Sequence, residues 1–187
     1  YDFICRSKIG ENTVTLSAVV YIFIVFCAYF YSEIFSGRGA FTQLGVMIGT
    51  IMVANVAMVI IPGQKKVVNA LIKGNKPDPI HGIRAKQRSL HNNYLTLPVI
   101  FVMLAGHYPM VFATKFSWLI LAIVIVIGAL IRHFFNSRHA KKKTPWWTWV
   151  LSTILTVFII YLSNIGKPNI SDDEKLVSLQ EDINHEI

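Results

Sequence analysis

Five stretches free of formal charge decide what this chain can fold into. Between Glu11 and Glu33 lie 21 uncharged residues, and between Arg38 and Lys65 lie 26. Arg88 to Lys115 leaves 26, Lys115 to Arg132 leaves 16, and Lys143 to Lys167 leaves 23. A helix crosses the roughly 30 Å hydrocarbon core of a bilayer with about 20 residues. Four of the runs therefore suffice as they stand. The 16-residue run suffices if Lys115 and Arg132 stretch their stems to the interface. Charged residues make up 15% of the 187, against roughly 25% in ordinary soluble proteins. The fold class expected is all-α, a polytopic transmembrane helix bundle, because backbone groups in lipid must find their partners within the segment.

Five spans are expected, at about 14–31, 41–61, 92–108, 116–135 and 146–162. The third is the weakest, since its apolar stretch from Tyr94 to Gly106 is too short and must borrow His91, Asn92 and Asn93 before it and His107 and Tyr108 after it. Between spans, the segment 63–92 is the only long connection. A helix stop is expected at Pro62-Gly63, with turns at Gly74-Asn75 and Pro77-Asp78-Pro79 and a helix resuming from about Ile83. Residues 167–187 hold six of the ten acidic residues and are expected to be an acidic extramembrane tail or linker. The opening on Tyr1 instead of Met reads as a piece of a longer protein.

Lysine and arginine sort the connections by side. The segment 63–92 carries seven of them and 132–146 carries five, whereas the first and third connections carry one each. The positive-inside rule then places loops 63–92 and 132–146 in the cytoplasm and, with an odd number of spans, the tail outside. This topology, together with anionic lipid, explains the formal charge of +8, so no nucleic-acid partner is expected. Cys5 and Cys27 belong to no CxxC or CxxCH pattern, so neither a disulfide framework nor covalent c-type haem is encoded.

Ionisable groups near membrane depth are costly and so become functional candidates. Arg84, Gln87, Arg88 and His91 fall on one face of a helix at spacings of three, four and seven. With Asn92, Asn93 and Tyr94 they bring guanidiniums, amides, an imidazole and a phenol to one boundary. Arginine forks and amides recognise a planar anionic edge, and histidine moves a proton near neutral pH. His91 and His133 stand at similar depth on different helices, the arrangement a bis-histidine haem or a metal needs; an interfacial His133 is the plainer reading. His107 lies sixteen residues from His91, about 24 Å along a helix, and is as readily a helix-end cap as a functional group. Asn55 is the one amide deep in the second span and is expected to bind a neighbouring helix. Gly45 and Gly49 form a GxxxG pair, a weak sign of close helix packing. His81, His139 and His185 carry no signal.

The run Gln87-Arg-Ser-Leu-His-Asn-Asn-Tyr-Leu-Thr-Leu-Pro98, followed by Gly106-His-Tyr-Pro109, resembles the signature of the membrane-embedded N-terminal domain of membrane-bound urate hydroxylase, also called urate oxidase. The opening Tyr1-Asp-Phe-Ile-Cys-Arg-Ser7 is similar to that family's inter-helix segment, and the likeness extends to about residue 166. The resemblance implies a bacterial inner-membrane protein with more helices than this chain carries. It also implies oxidation of urate to 5-hydroxyisourate, with electrons passed to a cytochrome c domain or protein. In that frame His91 and His107 are the candidate catalytic residues. Arg84, Gln87, Arg88, Asn92, Asn93 and Asn55 are the candidate urate ligands. Haem is the candidate cofactor, b-type on His91, His133 or His107, or c-type on a further domain or partner. Two other readings remain: a purine carrier, favoured by the Pro98 break in the third span, and a non-catalytic anchor for a respiratory cytochrome.

Overall fold

A computed structural model describes residues 1–141 and 143–165, and within them every regular element is helical. Helix α1 covers Asp2–Arg6 and is followed by a single 3₁₀ turn, Lys8–Glu11. Asn12 then caps α2 (Thr13–Ile34), its side-chain oxygen accepting from the amides of Val14 and Thr15. Helix α3 (Gly37–Ala54) runs through a π-helical stretch at Asn55–Ile60 into α4 (Ile61–Ile72). After a short turn come α5 (Pro79–Ala105), the one-turn α6 (Pro109–Phe112), α7 (Ser117–His139) and α8 (Trp147–Ile165). The tail 167–187 lies outside the described residues.

The all-α reading holds, with two corrections. The expected stop at Pro62-Gly63 does not occur, and the helix continues unbroken from Gly37 to Ile72. Proline inside an α-helix lacks a donor and collides with the carbonyl four residues back. Here the ladder widens just before it, the amide of Ile61 reaching the Val56 carbonyl five residues away, so the ring of Pro62 is taken up at the first turn of α4. The break comes instead at Gly74, whose positive φ of 71° closes the helix end and lets the Asn75 amide reach the Ala70 carbonyl. The connection therefore shrinks to 73–78, and α5 starts at Pro79, ahead of Ile83, with Asp78 as its cap.

The second correction concerns the count of spans. Among the described residues, four helical segments, not five, are long and apolar enough to cross a membrane: Thr13–Ile34, Gly37–Ile72, Ser117–His139 and Trp147–Ile165. The expected third span, 92–108, falls on the second half of α5, whose polar first half dilutes it. Arg88 and His91 of this helix are instead buried against protein. Leu95, Val102 and Ala105 of α5 pack with Ile24, Phe41, Leu44, Leu121 and Ile125 in the main core. Helix α5 thus runs through the middle of the bundle, in contact with α3, α4 and α7. It also passes straight through Pro98 as one helix, so the broken-helix feature that favoured a carrier is absent.

Two glycines set helix spacing. A side chain on Gly128 of α7 would meet the Pro98 ring at 2.8 and 3.0 Å, so this glycine seats the proline of α5. Gly45 of α3 approaches Val102 of α5, where a Cβ would sit 3.1 Å from it, whereas Gly49 faces open space. Only half of the GxxxG pair is used. Outward, α2 and α8 present Ile22, Phe26, Phe30, Val150, Ile154 and Val157, an apolar surface suited to lipid contact.

Candidate functional site

The site is built where the N-terminal segment folds back onto the polar half of α5. Arg88 is 2% exposed. Its Nη2 donates to Asp2 Oδ1 at 2.6 Å, and its guanidinium stands 5.0 Å from the centre of the Tyr1 ring. Asp2 is shared with Arg6, at 2.6 Å. Gln87 donates to the Gly10 carbonyl at 2.7 Å, fastening the 3₁₀ turn to the same helix. Burying a guanidinium is costly unless its donors are used. Yet Nε and Nη1 of Arg88 are buried and have no partner among the described residues.

A hydrogen-bond chain joins this cation to the π-helical stretch. Asn92 donates to the Met52 carbonyl at 2.9 Å, and Asn55 donates to Asn92 at 2.8 Å and to the Tyr1 hydroxyl at 3.3 Å. The Tyr1 hydroxyl in turn meets Nδ1 of His91 at 2.5 Å. The phenol oxygen also accepts from Asn55, and the tautomer of His91 decides whether the phenol donates to Nδ1 or accepts from it. Burial pushes the Tyr1 phenol up from its ordinary range, hydrogen bonds toward Arg88 and Asn55 opposing it, so the phenol stays protonated at neutral pH.

Beside Arg88 opens a cavity of about 220 Å³, lined by Asp2, Cys5, Arg6, Lys66, His81, Arg84, Gln87 and Arg88 together with Met58, Val59, Pro62 and Gly63. Four cationic side chains face one carboxylate. The volume admits a single small planar molecule, below the roughly 300–1,000 Å³ of drug-sized sites. Burial pushes the Cys5 thiol up, partly offset by the Arg88 charge, which keeps it a thiol at neutral pH. Alkylation of Cys5 by iodoacetamide is accordingly expected to be slow at pH 7 and to accelerate only above the ordinary thiol range. Fast labelling at neutral pH would contradict this burial.

The sequence-predicted residues divide into groups. Arg84, Gln87 and Arg88 line the cavity, while Asn55, Asn92 and His91 form the chain behind it. Asn93 is turned the other way, accepting from Asn136 of α7 at 3.0 Å. His133 is exposed, its Nδ1 3.3 Å from the Tyr94 hydroxyl. His107 is exposed just past the far end of α5, apart from the cluster. Asn55 does bind a neighbouring helix, through Asn92.

Sequence reasoning missed Tyr1, Asp2, Cys5, Arg6 and Lys66, and it dismissed His81, which lies on α5 and lines the cavity. One signal was available. Only four carboxylates precede residue 171, so a buried Arg88 had few counter-charges to choose from. Asp2→Ala leaves the guanidinium buried without one. A loss of about 1–3 kcal/mol in unfolding free energy is expected, toward the lower end because Asp2 is half exposed. An unchanged denaturation midpoint would contradict the pairing.

Comparison with known families decides the affiliation. Residues 1–163 match the family described as "Urate oxidase N-terminal". The chain belongs to that family. The match takes in the Tyr1–Ser7 segment, the whole of α5 and every residue of the cavity. No curated protein and no solved structure matches it. This urate oxidase N-terminal chain therefore has a urate-related role and a multi-pass membrane form. Among the described residues no group of three or more His, Cys, Asp or Glu side chains stands ready for a metal ion.

Proposed function

We propose that this chain is the membrane-embedded, urate-binding part of a urate hydroxylase that oxidises urate to 5-hydroxyisourate. The observation that carries this reading is the buried Arg88 guanidinium, with two nitrogens unpartnered beside a small cavity rich in positive charge. Urate is a planar anion with carbonyl oxygens and ring nitrogens along its edges. Arg88 supplies a rigid donor fork, Arg84 a second guanidinium, and Gln87 an amide at the rim. Tyr1, Asn55 and Asn92 hold His91 one helical turn further along, where it can pass a proton.

The reaction consumes urate and water and releases two electrons and two protons with 5-hydroxyisourate. The electrons end on a cytochrome c, a separate partner or a further domain. In this reading α5 also crosses, sheltered in the middle of the bundle, and the protein sits in a bacterial inner membrane with the basic segments 63–92 and 132–146 in the cytoplasm, so the cavity opens on the cytoplasmic side. A bilayer core of about 30 Å then separates urate from a periplasmic cytochrome. Haem is one candidate for bridging that gap. His133 is exposed and open to a ligand, whereas His91 spends Nδ1 on the Tyr1 hydroxyl and has only its buried Nε2 left to offer.

Purified full-length protein given urate without oxygen, in the presence of ferricyanide, tests the reading. Formation of 5-hydroxyisourate is expected. Urate uptake into vesicles without product would favour a carrier instead, and urate-independent cytochrome reduction an anchor.

A further inference from the structure

A groove of about 670 Å³ runs between α2, α5 and α7, lined by His91 but by neither Arg88 nor Asp2. Its walls are apolar, with Ile24, Leu95 and Ile125 among them, and His91, Tyr94 and His133 line it as well. Those three groups lie on facing stretches of α5 and α7, since the Tyr94 hydroxyl bonds His133. A groove that needed only to seat an acyl chain would have no use for them. His91 is the deciding residue. It is 8% exposed, and its Nε2 is buried with no partner among the described residues. With Nδ1 taken up by the Tyr1 hydroxyl, Nε2 is the ring nitrogen left for a ligand, and when it carries the proton its complement is an acceptor oxygen on an apolar molecule.

We infer that this groove binds an isoprenoid quinone, one ring carbonyl accepting from His91 Nε2, the Tyr94 hydroxyl within the same pocket, and the tail lying along the apolar wall. A haem between His91 and His133 is less compatible with the same contacts. Asn93–Asn136 at 3.0 Å and Tyr94–His133 at 3.3 Å clamp α5 to α7, and both histidines already hold a tyrosine hydroxyl on Nδ1.

The inference rests on the urate reading and supplies its acceptor. Urate and water give 5-hydroxyisourate, two electrons and two protons, and the quinone takes up both electrons and both protons to become quinol. His91 and Arg88 are three residues apart, about 4.5 Å along the helix axis. Electrons therefore leave the urate cavity over one helical turn. Quinol, diffusing in the bilayer, carries them to cytochrome-reducing partners.

The test uses full-length protein in nanodiscs, an azido-quinone photolabel, and urate oxidation followed without oxygen with either decylubiquinone or ferricyanide as acceptor. Expected are one quinol formed per urate consumed and label on peptides of α5 or α7, competed by decylubiquinone. Ala129→Trp, which fills the groove from α7, is expected to lower quinone reduction at least about tenfold while ferricyanide-linked oxidation persists. Val14→Trp, at the exposed start of α2, serves the same purpose should the first variant fold poorly. The inference is overturned by label elsewhere, by undiminished quinone reduction in folded groove-filled variants, or by a haem absorbance band lost on filling the groove. It is also overturned if only phospholipid is displaced. Absence of urate oxidation with ferricyanide would sink the urate reading separately, and the photolabel would still decide what the groove binds.

Discussion

Arg88→Met is expected to lower kcat/KM for urate on the order of a hundredfold, the factor for a charged hydrogen bond of about 3 kcal/mol. The same substitution should leave the fold nearly as stable. Methionine matches the length of the buried stem, and exchanging a buried ion for an apolar side chain of similar volume is often neutral. Asp2, half exposed, keeps Arg6 as a partner. Arg88→Lys retains the charge without the fork and is expected to fall between, about tenfold below the native protein. Anaerobic urate consumption by the full-length variants, run beside their thermal melts, separates the two effects. A methionine variant that turns over urate normally would remove Arg88 from the site.

Gly128→Val is the second large effect, and it acts on the fold. The new side chain begins 2.8 and 3.0 Å from the Pro98 ring and 3.4 Å from Leu97 Cβ. A proline ring held inside a helix has no rotamer to escape into. Helices α5 and α7 must therefore separate, at a cost of about 1–3 kcal/mol for overpacking. The melting temperature should drop by several degrees, roughly 2–4 °C per kcal/mol for a chain of this size. Because Arg88 and His91 ride on α5, turnover should fall with it. Gly49→Val, facing open space in the neighbouring helix, is the matched control and is expected to melt close to the native protein. Equal melting of the two variants would show that the α5–α7 seam does not depend on this contact.

The apolar helices were legible because charge-free runs of 16 to 26 residues leave few alternatives. The face of Arg84, Gln87, Arg88 and His91 was legible because helical spacing is a local property. Pro62 was misread because local rules end a helix at a Pro-Gly pair, and the widened π-helical turn before it is a backbone adjustment with no composition of its own. The count of spans was misjudged at α5, where Arg88 and His91 are buried by other parts of the chain in the way an isolated segment could not manage. Tyr1 and Asp2 lie 90 and 86 residues from the partners they meet on α5. No periodicity encodes such a contact, and only the scarcity of carboxylates hinted at Asp2. Asn93 stands beside Asn92 in the sequence, yet a rotation of about 100° per residue sends it to α7 while Asn92 reaches Asn55.

Reduction of added cytochrome c by urate, measured without oxygen in membranes carrying the full-length protein and its Arg88→Met variant side by side, bears on all of this at once. The native membranes should reduce cytochrome c only when urate is supplied, and the variant should do so on the order of a hundredfold more slowly at low urate. Equal rates in the two, or reduction that ignores urate altogether, would contradict a urate site built on the buried guanidinium.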